Sequence, residues 1–313
     1  MKRYLVYPIQ FDSRAHMLDE VGEHWDEQVK QLHLQNREKL IAALKMELGE
    51  YNFDMKLQNF KDLGFSPFSI VAHHNALFHQ ARYAFIHGYY YPALTSACAL
   101  GERILNHLFL DLRGSFPQST IDKRSHTRDS IDKWPIAVRT LDEWKVFTHP
   151  DVGPTFEKLK EVRNRSLHFN ADTVKTLRED ALKALGCLAT IIEKQFGFQT
   201  GRTIPGTAGA FFLRREAEAE PFIRYYYLQQ SPYVSPYFAM STHEGHWLVF
   251  DKKFDPDVEI SDADFVEIFN KRGLDEMAPT TVPWTDVVEV VAMTSAGVME
   301  VEYRAPSDPV SPD

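Results

Sequence analysis

Arg163, Asn164 and His168 lie within six consecutive residues, and their side chains are of the types that handle phosphodiesters. A guanidinium is a planar fork that matches two phosphate oxygens and stabilises charge building at phosphorus. An imidazole titrates near neutrality and serves as general acid or base. An amide can orient either partner. RNA brings its own nucleophile, the 2′-hydroxyl, so such a trio needs no metal in principle. The products of that chemistry are a 2′,3′-cyclic phosphate and a 5′-hydroxyl.

On a helix at about 100° per residue, residues 155–169 place Phe156, Leu159 and Leu167 in one apolar stripe, and Arg163 falls inside it. An arginine there must be paired or must line a cleft, because burying an unpaired charge costs several kcal/mol. Asn164 and His168 are spaced i, i+4 and share one flank. Arg163 sits about 140° from His168, so its long side chain has to bring the two together. The bland alternative is a hydrogen-bond network tying bundle helices, with Glu102 or Glu161 as the partner. Glu102, among Leu100, Ile104 and Leu105, reads either as a site acid or as a paired structural carboxylate.

Other candidates are weaker. Arg82 and His87 repeat the Arg-x4-His spacing, but the second position is Tyr83, and His87 precedes Gly88 at a helix end, where a cationic histidine is favoured by the helix dipole. His73, His74, His79 and His87 crowd one segment without an evident acid or cysteine partner for zinc, so no metal is expected. His243 and His246 flank a turn. Tyr225, Tyr226 and Tyr227 would alternate faces of a strand and are expected to pack a sheet, with base stacking as the alternative. G-x-S-x-G, P-loop and G-x-G-x-x-G motifs are absent, and no cofactor is expected.

The elements that carry these residues follow from periodicity and punctuation. The chain has 313 residues, room for about two domains. Lys2 to Ile9 alternates weakly as a short strand, and 13–48 is helical, with Leu32, Leu40, Ile41, Leu44 and Leu48 in register and Gly49 as the stop. Residues 66–197 read as five helices: 70–87; one with Pro92 at its first position, running to 112 with Gly114 as the stop; 131–144; 155–169; and one capped by Asp172 and running to 196. Residues 198–210 are rich in Gly, Thr and Pro and form the expected linker. Residues 211–304 read as a small α+β domain. Its strands are 211–214, 222–229, 237–242, 247–251, 287–293 and 298–303; its helix is 261–270, with Ser261 as cap. Turns are expected at 243–245 and 295–297, and 305–313 reads as a disordered tail. The expected class is therefore mainly α: an N-terminal helical extension (1–65), a helical bundle (66–197) and the small α+β domain.

Net charge is −9, which argues against a protein whose whole surface grips nucleic acid by bulk charge. A local basic run remains, Lys158, Lys160, Arg163 and Arg165, for which a solvated helix face is the plain reading. Cys98 and Cys187 lie in apolar helical stretches and are expected as buried free thiols, consistent with a cytoplasmic location. No signal peptide and no membrane-spanning segment is expected.

The run Arg163-Asn164-Arg165-Ser166-Leu167-His168 resembles the R-[N/polar]-x-x-x-H signature of HEPN domains, and residues 88–106, with helix-borne Glu102, resemble the first long helices of that family. The resemblance covers about 130 residues. It implies a homodimer whose two motifs face each other, and a metal-independent endoribonuclease acting in stress response or phage defence. RNA, a second copy and an antitoxin or regulatory protein are the implied partners. Arg163, Asn164, His168 and Glu102 are the implied site. Two alternatives stay open: a non-catalytic dimerisation or binding module that recognises RNA, a nucleotide or a protein, and a sensor that binds a nucleotide at the same cluster.

Overall fold

The computed structural model describes residues 1–6, 11–121, 123–127, 129–130, 133–167, 174–197, 201–207, 209–243, 246–252, 258–278, 280, 287–294 and 297–300. The chain forms two compact units. One comprises Ile9–Ser69 and His73–Gly197; the other comprises Met1–Pro8, Ile70–Ala72 and Phe198–Asp313. The chain is mainly helical, with antiparallel sheet in the second unit.

The first unit is built from α1 (Glu27–Leu48), α2 (Phe53–Leu63), α3 (Ala72–Ile86), α4 (Tyr90–Leu112), α5 (Trp134–Glu143), α6 (Val152–Leu167) and α7 (Leu177–Ile191). Asp26 caps α1 by accepting from the Gln28 amide at 2.8 Å. Gly49 ends it at φ 78°, the left-handed conformation that glycine tolerates best. Leu40, Leu44 and Leu48 are buried with Ala15, Leu18, Phe60 and Ile86, whereas Leu32, expected in the same row, is 58% exposed. The apolar stripe of α1 therefore enters the core only over its second half. Pro92 stands third in α4 rather than first, still in the turn whose N–H groups lack helical partners.

α4 is the centre of this unit, with eleven buried residues from Ala93 to Leu112, and α5, α6 and α7 pack around it. Helix α5 starts at Trp134 with Pro135 in its first turn, later than the expected Ile131, which lies outside the described residues along with the expected cap Asp172. Its C-terminus is a Schellman turn: the Val146 amide donates to the Leu141 carbonyl at 2.9 Å and the Lys145 amide to Asp142 at 2.9 Å. Lys145 occupies the left-handed position at φ 56°, where glycine is usual. After α7 the chain makes one π-helical stretch, Ile192–Phe196. Buried Gln195 there donates to the Val146 carbonyl at 3.1 Å and accepts from the Thr148 amide at 3.2 Å, pinning the α5–α6 connection.

The second unit holds two four-stranded antiparallel sheets among the described residues. The first has the order β2 (Thr203–Pro205), β3 (Phe211–Leu213), β1 (Arg3–Val6), β4 (Tyr233–Val234). The second runs β5 (Ala239–His243), β6 (His246–Lys252), β7 (Val287–Thr294), β8 (Gly297–Glu300). The pairs His243↔His246 and Thr294↔Gly297 agree with the expected hairpins; the residues between them, and the expected tail, lie outside the described residues. Helix α9 (Asp262–Lys271) is capped by Ser261, which accepts from the Asp264 amide at 3.1 Å. Its Phe265 and Phe269 pack on Leu5, Phe212 and Phe238.

Three expectations are corrected. Residues 222–229, read as a strand from their aromatic content, form helix α8 (Pro221–Tyr226) and a 3-10 turn, Leu228–Gln230. Pro221 supplies the helical φ at the first position, and Phe222, Ile223 and Tyr226 turn inward at helical spacing; β propensity is the weaker guide where packing decides. Thr203–Pro205, inside the expected linker, pairs with β3. The strand at the start of the expected helical extension pairs with β3 and β4, more than 200 residues away, and so belongs to the second unit.

Candidate functional site

Helix α6 carries the motif. Its first turn is held by Thr155, whose hydroxyl and amide both donate to the Asp151 carbonyl, at 2.7 and 2.9 Å. Val152, Phe156, Leu159, Val162 and Ser166 are buried, which fixes the face turned to α4 and α7. Arg163 lies on that face by helical geometry, and it is paired: its Nη2 stands 3.1 Å from Oε2 of Glu102 on α4, with each side chain 34% exposed. The arginine is therefore neither sealed in the core nor free on the wet face. It spans the seam between α4 and α6 with its carboxylate partner, open to solvent along one side.

The seam is narrow for a local reason. Gly101 precedes Glu102, and a Cβ added there would stand 2.3 Å from Cδ2 of Leu159. The missing side chain lets α4 and α6 approach, and the approach brings Glu102 within reach of Arg163, one turn beyond Leu159. Cys98, one turn before Glu102, is a buried free thiol, as is Cys187 on α7. Burial pushes Cys98 up to about 12, with the charge of Arg163 acting in the opposite direction, and burial raises Cys187 as well. Neither is a candidate nucleophile, since the thiolate is the reactive form.

Asn164, next to the pair, is exposed. His168 lies outside the described residues, so the structure places Arg163, Asn164 and Glu102 and says nothing of the imidazole. The ends of the connection between α6 and α7 are fastened. Asp180, buried near the start of α7, accepts from Ser166 Oγ at 2.7 Å and Thr176 Oγ1 at 3.2 Å and is bonded by Arg165. Sequence reasoning passed over Asp180, an acid in the first turn of a helix like many others. It also passed over Gly101, although a glycine inside an apolar helix is a recognised sign of close backbone approach.

The basic run is largely compensated. Lys160 faces Glu157 at 3.9 Å, Arg163 faces Glu102, and Arg165 faces Asp180. Lys158 is exposed.

The second Arg-x4-His pair is structural. Arg82 is buried and donates to the carbonyls of Leu63, Gly64 and Phe65, at 3.4, 2.8 and 3.4 Å, closing the C-terminal end of α2. Burial lowers its pKa to about 10. His87 Nδ1 lies 3.1 Å from the Tyr83 carbonyl, and its ring packs on Tyr83 with centroids 4.5 Å apart. His74 is buried beside Ser69 Oγ at 3.1 Å and edge-on to Phe196. Burial holds it well below the usual histidine range, with His73, His107 and Arg103 adding in the same direction. Among the described residues no group of three or more His, Cys, Asp or Glu is placed to hold a metal ion, and no helix is long and apolar enough to cross a membrane.

A scan against protein-family models, a search among curated proteins and a search among solved structures each found no match.

Proposed function

We propose that the protein is a metal-independent endoribonuclease of HEPN type, with Arg163, Asn164 and His168 as its working groups and Glu102 as the residue that positions Arg163. The observation that carries this reading is the half-open Arg163–Glu102 pair beside an exposed Asn164: a fork held in one orientation yet reachable by a phosphate. Arg82, by contrast, is enclosed and spends its donors on backbone carbonyls.

In the proposed step the 2′-oxygen attacks phosphorus and the bond to the 5′-oxygen breaks. The proton of the 2′-hydroxyl goes to a base and a proton is delivered to the leaving 5′-oxygen, one of these transfers being assigned to His168. Arg163 balances charge on the non-bridging oxygens, and Asn164 orients the imidazole or the phosphate. A second copy across a two-fold axis supplies a second motif.

The test is RNA cleavage by the purified protein in chelator, with end-group analysis. A 2′,3′-cyclic phosphate that disappears in both His168→Ala and Arg163→Ala supports the reading. An inactive parent, together with variants that lose substantial melting temperature, would leave the pair as a structural tie between helices.

A further inference from the structure

A recess lies on the same flank of α6 as Asn164. It is a cavity of about 490 Å³ between α5, α6 and their connection, lined among others by Arg139, Asp142, Phe147, His149, Gly153 and Glu157. Gly153, Glu157 and Asn164 fall within about 40° of one another on the helical wheel, with Glu157 and Asn164 about 10 Å apart along the axis. A short stretch of extended strand passing Asn164 therefore reaches the cavity.

The walls are preorganised. Phe147 and Val138 come close to the bare face of Gly153: a Cβ there would stand 3.3 Å from the Phe147 ring and 3.4 Å from Val138. The connection that carries Phe147, Thr148 and His149 is pinned by Gln195 and begins at Lys145, whose left-handed backbone is strained for a non-glycine residue. Strain of this kind persists where the surroundings over-determine it, and it concentrates at binding and active sites.

The polar groups select a ligand. Asp142 and Glu157 are acceptors only, Arg139 is a donor only, and Phe147 is an aromatic wall. Among the nucleobases, guanine alone joins two adjacent donors, N1–H and the 2-amino group, which match the two oxygens of one carboxylate, to the O6 and N7 acceptors that suit an arginine fork. We infer that this cavity binds a guanine base. On the ribonuclease reading, on which the identity of the polymer rests, it is the base subsite of a single-stranded RNA substrate.

The binding test is independent of turnover. Chemical-shift titrations of the full chain in chelator would use guanosine, adenosine, cytidine and uridine 5′-monophosphates. Saturable shifts in residues 138–157 with guanosine monophosphate, at least roughly tenfold tighter than the other three and weakened about tenfold in Glu157→Gln, are expected. Phe147→Ala should weaken binding similarly. Because Phe147 also packs on Phe156, the half-buried Glu157 and exposed Asp142→Asn variants keep the test decisive if Phe147→Ala fails to fold. Equal binding of all four nucleotides, or none at millimolar concentration, overturns the assignment. A second arm compares a short RNA containing one guanosine with the same RNA containing inosine, which lacks the 2-amino group. Tighter binding of the guanosine oligomer than of the mononucleotide, lost with inosine, marks RNA as the source; no gain from the polymer overturns the RNA subsite. If RNA is cut but guanosine monophosphate produces no selective shifts at residues 138–157, the cavity assignment fails and the ribonuclease reading stands. If guanine binds at residues 138–157 and no RNA is cut, the reverse holds.

Discussion

Arg163 on α6 and Glu102 on α4 form an ion pair of 3.1 Å in which each side chain keeps about a third of its surface in water. A pair this exposed is worth about 0–1 kcal/mol. Arg163→Ala should therefore cost less than about 1 kcal/mol in denaturant unfolding; on the proposed ribonuclease reading, RNA cleavage falls by roughly 10²–10³, the usual loss for one charge-stabilising donor. Glu102→Gln should be similarly mild in stability and should lower cleavage by loosening the guanidinium. A large stability loss with no change in cleavage would assign the pair to scaffolding.

Gly101→Ala tests the seam. The added methyl meets Leu159, and overpacking of this kind costs about 1–3 kcal/mol against a gain of about 1 kcal/mol from replacing glycine in a helix. A net loss near 1 kcal/mol is expected; on the proposed ribonuclease reading, cleavage is reduced beyond what the unfolded fraction explains. An unchanged melting curve would mean that Leu159 moves aside freely.

Lys145→Gly should stabilise the protein. The left-handed backbone costs a non-glycine residue roughly 1–2 kcal/mol, and relief of that strain outweighs the extra freedom of glycine in the unfolded chain. A rise of about 1 kcal/mol by equilibrium unfolding is expected. If the strain serves the cavity beside it, ligand binding weakens in the same variant.

Asp180 joins Ser166, Arg165 and Thr176. Asp180→Asn retains the volume and removes the charge, leaving the Ser166 and Thr176 hydroxyls with a poorer acceptor. A loss of about 2 kcal/mol is expected. Since the bonds flank both sides of residues 168–173, faster proteolysis within that connection should accompany the loss; equal cleavage rates in the two proteins would refute the fastening role.

His74 gives the fold an acid edge. Its folded value lies below the ordinary one, so the unfolded chain takes up the proton first as pH drops through about 6.5. Stability from this group is complete above that pH and declines below it, with a slope of at most about 1.4 kcal/mol per pH unit. Melting temperature recorded from pH 7.5 to 5 should show the decline in the parent and a shallower one in His74→Asn.

What was legible in the sequence follows from how local each signal is. The helices of the first unit were marked by periodicity and by glycine or proline at their ends, and Ser261 announced α9. The inward place of Arg163 followed from counting residues around a helix. Its partner did not, because Glu102 and Glu161 were equally available until Gly101 showed how closely α4 and α6 approach. Helix α8 escaped the sequence because Phe222, Tyr225, Tyr226 and Tyr227 have strand propensity, whereas the inward packing of Phe222, Ile223 and Tyr226 at helical spacing decides the element. The cavity beside Gly153 was invisible, since its walls come from α5, α6 and a connection whose shape depends on Gln195, some 50 residues further on.

Among the described residues, the strand Arg3–Val6 pairs with Phe211–Leu213 and Tyr233–Val234, and Arg3 is buried against Asp262 at 2.7 Å. Residues 3–6 are synthesised long before 211–213 and 233–234, the segments they pair with, and the helices encoded between them can form first. Substituting proline for Leu5, whose amide donates to the Pro232 carbonyl, should thus unsettle the β-rich unit while sparing the helical one. Refolding should show a late phase in which residues 3–6 join their distant partners after the helices have formed.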